Sequence, residues 1–532
     1  MCTSDLVSVA RWIRATHINT PSLTGPYAAV QPRHLDMTSG KRSKTSLIII
    51  SSLTAMLMLT LPTPDTQAAV TFRTVVMAGD QVPGTNPGVV YSSFDAPTLN
   101  ASGQVALQSY FSGPNVDYTN ALGISSEGSG SLSLVARTGD HAPGTSPSTV
   151  YSGGFGTAGF STPLINVAGQ TAFSGILAGP DVDSTNSRGI WSQGPNTLDL
   201  VARTGNPAPG TDPGVVFSNL QSPVFNAAGQ TAFLSSLTGP GVDNTNNLGA
   251  WSQGSGPLSL VTRKGDVAPD TESGVTYDQL DDLVINDLGQ TALIGELVGP
   301  GVDDTNRQGI WSESNGSLGV VIRAGTLASE AEPNSAITLF TDHTFNNAGQ
   351  TTFIGTISDQ NADGIWSIND GSLSLVAKQY DPAPGTESHT RFSLLDSLVR
   401  TSGIPINTDG QTAFNSLLQN PGQLGLVGIW TENNNESLQL IARSRTHAPG
   451  TNENIVFSDP HPATIGFGFR SPTLNNHGQV AFAAEVTELV YSGGINHTND
   501  LGVWATDTSG QLQLIFRKGD LFDVNDDPLI DD

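Results

Sequence analysis

The sequence predicts an all-β chain folded as a seven-bladed β-propeller of four-stranded antiparallel blades, with an open β-solenoid as the alternative. Three observations lead there. The string Asn-x-x-Gly-Gln recurs at Asn100, Asn166, Asn226, Asn286, Asn346, Asn407 and Asn475, at spacings of 66, 60, 60, 60, 61 and 68 residues. Between copies, short runs of β-branched, aromatic and alternating apolar residues are divided by Gly, Pro, Asn and Asp, and no helical periodicity follows residue 70. The array also starts and stops inside a unit.

Each unit supplies four segments, labelled a to d in order. Segment a follows the Asn-x-x-Gly-Gln string, as in Thr171-Ala172-Phe173. Segment b is Gly-Ile-Trp or a close variant and carries Trp191, Trp251, Trp311, Trp366, Trp430 and Trp504, whereas the first copy has Ile124-Ser125. Segment c is Leu-x-Leu-Val-Ala-Arg, as at 132–137, and leads into Gly-Asp and Ala-Pro-Gly-Thr. Segment d is a short aromatic stretch such as Val216-Phe217-Ser218. Four such strands form one small antiparallel sheet that cannot bury both its faces, so neighbouring sheets must stack. The tryptophans are expected to fill the blade interfaces; an exposed ring of them would instead stack on sugars.

The first recognisable piece is a c segment at 74–80, and the last is another at 512–517. This offset predicts that the N-terminal d strand completes the last sheet, closing the ring and protecting its sheet edges.

The chain of 532 residues divides accordingly into an N-terminal extension at 1–36, a signal peptide at 37–69, the repeats at 70–520 and an acidic tail at 521–532. Lys41, Arg42 and Lys44 precede an apolar run from Leu47 to Leu61, and small residues follow at 66–69. This is the layout of a secretory signal, short for a membrane span and closed by Pro62 and Pro64. Met37 just ahead of the basic cluster is a second candidate start. Cys2, the only cysteine, falls in the leader, so a processed chain has no disulfide, thiol nucleophile or Cys-bound metal. Past residue 69 there are 16 basic and 45 acidic residues. Such a balance disfavours nucleic acid and anionic membrane surfaces as partners. A secreted or cell-surface monomer is expected, with an extracellular polysaccharide or protein as its partner.

The repeated Asn-x-x-Gly-Gln-x-Ala-Phe string resembles the signature of the secreted bacterial NxxGxxAF tandem-repeat proteins, the choice-of-anchor family. The resemblance covers roughly 70–520 in seven in-phase copies. It implies export and, in many members, a C-terminal surface-sorting segment; it carries no catalytic residue across. This chain stops at Asp532 without an apolar tail, so release or truncation is expected.

The candidate chemistry is sparse. Asp-x-Thr-Asn recurs between segments a and b, offering Asp117, Asn120, Asp183, Asn186, Asp243, Asn246, Asp303 and Asn306 as weak Ca²⁺ ligands. Asp and Asn also close turns on their own backbone, which is the favoured reading. A basic residue ends segment c in seven of eight copies: Arg137, Arg203, Arg263, Arg323, Lys378, Arg443 and Arg517, with Met77 in the first. These either reach Gly-Asp carboxylates and carbonyls of the next blade or form a cationic collar. Gly154-Phe155-Gly156-Thr157-Ala158-Gly159 fits a dinucleotide fingerprint only in letters, since no helix follows. His461, His477 and His497 fall in the irregular stretch of the last unit. Irregularities at 398–406, 419–428, 455–470 and 484–498 mark extended loops of units six and seven, the positional hint of a binding face. No catalytic residue is assigned. The function predicted is an exported, non-catalytic binding or surface-structural propeller, with a polysaccharide lyase or hydrolase as the alternative.

Overall fold

Each Asn-x-x-Gly-Gln turn is tight enough to fold one strand straight back on the next, and this decides how the sheets are built. In the first copy Gly103 donates to the Asn100 carbonyl at 3.0 Å and Asn100 to the Gln104 carbonyl at 3.0 Å. The turn needs a left-handed residue: Gly103, Gly169, Gly229, Gly289, Gly349, Gly410 and Gly478 all have φ between 74° and 82°. A computed structural model of the chain describes residues 73–520 apart from 154–158, 195–196, 329–334, 361, 396–403, 421–422, 434–436, 460–467 and 490–493. The expected signal peptide at 37–69 and the acidic tail at 521–532 lie outside the described residues.

The fold is a seven-bladed β-propeller, and no helix occurs among the described residues. Blade 1 runs Val90–Phe94, with a two-residue extension Thr98–Leu99, then Val105–Ser112, Leu122–Ser126 and Ser133–Arg137, paired antiparallel in that order. Blade 4 joins the first strand and its extension into one, Thr276–Ile285, ahead of Thr291–Val298, Gln308–Ser312 and Gly319–Arg323. The remaining five blades repeat the scheme.

One expectation is corrected. The d segment belongs to the sheet that follows it, not to the segments before it: Val90 pairs with Ser112 inside blade 1. Every blade is therefore complete, and the N-terminal d strand does not finish the last sheet, whose four strands all come from 455–517. The cause is the turn itself, since a strand running into a tight Asn-x-x-Gly-Gln turn must pair with the strand leaving it.

The cores lie between blades. Ile190 and Ala202 of blade 2 share a cluster with Phe217, Phe233 and Trp251 of blade 3. Six such clusters draw residues from two consecutive blades. The six tryptophans are at most 1% exposed and fill these interfaces, as expected. Trp251 meets Phe217 edge-on at 4.9 Å and stacks on Phe233 at 6.2 Å. The extensions Thr98–Leu99, Leu164–Ile165 and Val224–Phe225 touch one another from blade to blade. First strands thus converge, and they line the inside of the ring.

Candidate functional site

The recurring polar residues are consumed in holding the ring. Asn346 is buried, at 8% exposure. Its Oδ1 accepts the backbone N–H groups of Ala348 and Gln350, both at 3.0 Å. Its Nδ2 donates to Gln350 Oε1 at 2.6 Å and crosses to the next blade, to the Asn407 carbonyl, at 2.8 Å. The same crossing bond links Asn100 to Asn166, Asn166 to Asn226, Asn226 to Asn286, Asn286 to Asn346, and Asn407 to Asn475. The Gln closes the other side: Gln290 Nε2 donates to the carbonyls of Glu313 and Ser314 at 3.1 Å. An Asn has one acceptor and two donor hydrogens, and this geometry engages both ends.

The basic residues ending segment c are likewise structural. Arg137, Arg203 and Arg323 donate through Nε to the carbonyls of Asn120, Asn186 and Asn306 at 2.7, 2.8 and 2.9 Å, and Arg263 does the same to Asn246. The acceptor lies in the same blade, not in the next blade as expected, because the second-to-third-strand loop ends beside the fourth strand. The carbonyl bonds hold these guanidinium groups against their own blades, so they do not form a free collar. Arg323 further pairs with Glu272 at 2.7 Å, and Arg443 pairs with Glu387. Bonds from Arg443 hold the Glu387 carboxyl down at about 2.

The Asp-x-Thr-Asn loops are Asx-type turns. Asp117 Oδ1 accepts the Thr119 N–H at 2.8 Å and its hydroxyl at 2.6 Å, while Asn120 Oδ1 accepts the Asp117 N–H at 2.9 Å. Asp183, Thr185 and Asn186 repeat this, as do Asp243, Thr245 and Asn246, then Asp303, Thr305 and Asn306. A hard cation would have to displace these donors to use Oδ1. Among the described residues no three His, Cys, Asp or Glu groups gather as a metal cluster. The threonine bonds hold Asp117, Asp183, Asp243 and Asp303 below the usual carboxylate range. Depressed carboxylates stabilise the fold above the unfolded value, near 4, and this contribution is lost as pH falls through the folded value. Melting temperature should therefore hold level from pH 7 to about 5 and then fall toward pH 2, and replacing all four Asp by Asn should flatten that fall.

Histidines of the last unit do not meet. His461 lies outside the described residues. His477 sits in the turn before Val480–Glu488 and His497 in the loop after it, at opposite ends of a nine-residue strand, a separation of about 30 Å. The sequence 154–159 lies almost wholly outside the described residues, as do the centres of the extended loops in units six and seven.

What remains is a set of polar residues outside the recurring motifs, on or beside the first strands of blades 3 to 5. Gln221, Ser222, Asp281 and Asp282 line an open, largely polar cavity of ≈ 250 Å³. The Asp282 Oδ2 oxygen lies 2.7 Å from His343 Nδ1 and accepts the His343 backbone N–H at 3.0 Å. Asp282 sits at a bulge with φ 46°, a left-handed conformation that Asp tolerates better than most residues. Burial pushes its carboxyl up, but the bonds and charge from His343 outweigh that and hold it below the ordinary value. The cavity therefore presents a persistent anionic wall at neutral pH. His343 itself is enclosed, its side chain 0% exposed and Nε2 buried without a hydrogen-bond partner among the described residues. Its ring cannot reach a substrate in the cavity while Nδ1 faces Asp282 and Nε2 faces the interior. A second cavity, of ≈ 240 Å³, is lined by Ser126, Ser129, Gln170, Gln193 and neighbours, and consists largely of repeat residues.

Sequence reasoning missed the Asp282–His343 pair because the partners are 61 residues apart. The signal was available in the phase of the repeat. Three residues before each motif Asn stand Pro97, Pro163, Pro223, Leu283, His343, Ile404 and Pro472, and only one of these is ionisable. One blade earlier the corresponding pair is Ser222 and Leu283, with Leu283 buried in the core between blades. We expect Asp282→Ser/His343→Leu to be neutral or stabilising in urea unfolding, and Asp282→Ser alone to lose about 2 kcal/mol by leaving the buried ring unpaired.

Comparison with known proteins follows the same lines. Residues 65–253, 235–445 and 427–532 match the model of DUF7453, described as a family of unknown function. No curated protein matches. Among solved structures, an oligogalacturonate lyase in complex with manganese is similar at 10% identity, over 76% of this chain and 95% of that one, with a TM-score of 0.34. An ulvan lyase of polysaccharide lyase family PL25, bound to -[GlcA(1-4)Rha3S]-, is similar at 8% identity over 78% and 93%, TM-score 0.30. The β-propeller domain of the Trilobed protease from Pyrococcus furiosus, described as having an open velcro topology, is similar at 10% identity over 68% and 98%, TM-score 0.24. None of these likenesses carries a residue role across.

Proposed function

The chain belongs to the DUF7453 family of unknown function, and we propose that it is an exported, non-catalytic propeller serving as an extracellular binding or surface-structural module. One observation supports this above the rest: the recurring polar side chains are spent on the ring, and a few polar side chains outside those motifs line one open, anionic cavity. Amide, hydroxyl and carboxylate groups in a largely polar cavity suit a polyhydroxyl or cationic ligand, such as a saccharide segment of an extracellular polymer. The lyase or hydrolase alternative requires an acid or base in reach of that cavity; the enclosed Nε2 of His343 does not supply one, which leaves the Asp281 carboxylate and that of Asp282, already engaged by His343.

A thermal-shift panel on residues 70–532 tests the reading, using Ca²⁺, a chelator and a set of neutral, cationic and acidic polysaccharides. A ligand at about 100 times its Kd adds roughly 2.7 kcal/mol and raises the melting temperature. We expect a shift with a neutral or cationic glycan that Asp281→Asn and Gln221→Ala weaken. A panel flat for every glycan would remove the binding reading and leave the structural one. Turnover of any shifting glycan would overturn the non-catalytic reading.

A further inference from the structure

Just ahead of the Asn-x-x-Gly-Gln turns, a donor in one blade is matched to an acceptor in the blade before it, and at one junction the acceptor is missing. Three residues before the motif Asn, four copies carry Pro97, Pro163, Pro223 and Pro472, which have no N–H. The other three carry Leu283, His343 and Ile404, each with an N–H to place. Aspartate stands four residues before the motif Asn in only two copies, at Asp282 and Asp342. Each lies one blade before a copy without proline, Asp282 before His343 and Asp342 before Ile404. Leu283 is the exception, with Ser222 at that place in the blade before it.

The junction of blades 4 and 5 shows what the aspartate does. Its Oδ2 accepts the His343 backbone N–H at 3.0 Å. Leu283 holds the same place in its own blade: Asp282 before it has φ 46°, Asp342 before His343 has φ 45°, and both stand at breaks in strand register. This shared backbone turns the Leu283 N–H toward blade 3, as it turns that of His343 toward blade 4. No side chain among the described residues accepts it, and serine is shorter than aspartate. The space left over is the open cavity of ≈ 250 Å³, which Ser222 and Leu283 both line.

An occupant of that space meets a fixed N–H donor with Asp281 and Asp282 close by. These carboxylates repel a second carboxylate. A carbonyl oxygen is the uncharged counterpart of the oxygen that Asp282 supplies at the next junction. An amide also sets an N–H beside that oxygen for Asp281, whose Oδ1 accepts the Asp282 N–H at 2.9 Å and which has further lone pairs to offer. The volume lies below the ~300 Å³ at which ordinary ligand pockets begin, which suits one small group rather than a length of polymer.

We propose that this cavity is a subsite for an N-acetylated amino sugar, whose carbonyl oxygen takes the Leu283 N–H in place of the carboxylate oxygen absent at this junction. The proposal rests on the saccharide reading above and names the group recognised. Ser222 is the residue that keeps the subsite open.

Titration calorimetry on the full chain tests this with β-1,4-linked tetrasaccharides of N-acetylglucosamine, glucosamine and glucose, which differ only at carbon 2. The acetylated chain should bind about tenfold more tightly than the glucose chain, which lacks the carbonyl. Tightest binding by the cationic glucosamine chain would show attraction to the carboxylates instead and overturn the proposal. Equal binding of all three, or none, would overturn it too. Ser222→Asn, whose own amide oxygen takes the N–H, should abolish the preference and leave the melting temperature unchanged or raised; a preference that survives it sinks the subsite. If these three sugars fail while another glycan of the thermal-shift panel binds, this inference falls and the binding reading stands.

Discussion

Asn346→Ala should cost about 3 kcal/mol in urea unfolding, far more than truncating an ordinary turn residue. The substitution removes two accepted and two donated hydrogen bonds at a buried position. Each is worth about 1 kcal/mol net, and groups left unpaired cost about 1–3 kcal/mol apiece. The Asn407 carbonyl and the Gln350 amide lose a partner together. Asn475→Ala supplies the internal comparison: it breaks the same turn but no crossing bond is seen there among the described residues, so its loss should be smaller by roughly 1 kcal/mol. Equal losses at both positions would show that the crossing bond contributes nothing to joining the blades.

Trp251→Ala should be the most damaging single change in the cores, at about 3–5 kcal/mol. The indole is 0% exposed, packs on Phe217 and Phe233, and donates Nε1–H to the Pro209 carbonyl at 3.0 Å. Truncation opens a void between blades 2 and 3 that the paired sheets cannot close, and it strands the carbonyl. Trp251→Phe separates the two effects, keeping most of the volume while losing the bond. At blade 5 the Trp366 Nε1 has no partner among the described residues, so Trp366→Phe should cost about 1 kcal/mol less than Trp251→Phe. Circular dichroism melts of the three variants would check the ordering.

The number of blades, four strands in each and the role of tryptophan were legible in the sequence because each rests on spacing and burial pattern. Strand partnership was not. A short β segment such as 90–94 does not declare which neighbour it pairs with, and grouping d with the segments before it led to a shared closing strand that the protein lacks. The deciding information lay in the turn, where Gly103 and its counterparts allow only a tight reversal into the following strand. The arginines show a related limit. Their recurrence was plain, but the acceptor is a backbone carbonyl 17 residues earlier, and backbone acceptors leave no mark on residue identity. Asp282 and His343 were obscured for the opposite reason, since they depart from the repeat that made everything else readable.

The central structural claim is that each blade closes on itself, its first strand paired with the strand that follows. A cysteine pair tests it cleanly, because the only native cysteine is Cys2, which a chain expressed from residue 70 omits. Val90 and Ser112 are register partners on the two edges of that pairing in blade 1, and cross-strand Cα separations of about 4.5–5.5 Å fall within disulfide range. Val90→Cys/Ser112→Cys, expressed from residue 70 and oxidised gently, should form an intramolecular disulfide in a folded monomer, located by non-reducing peptide mapping. A protein that folds but leaves both thiols free would contradict the claim, placing the first strand in another sheet.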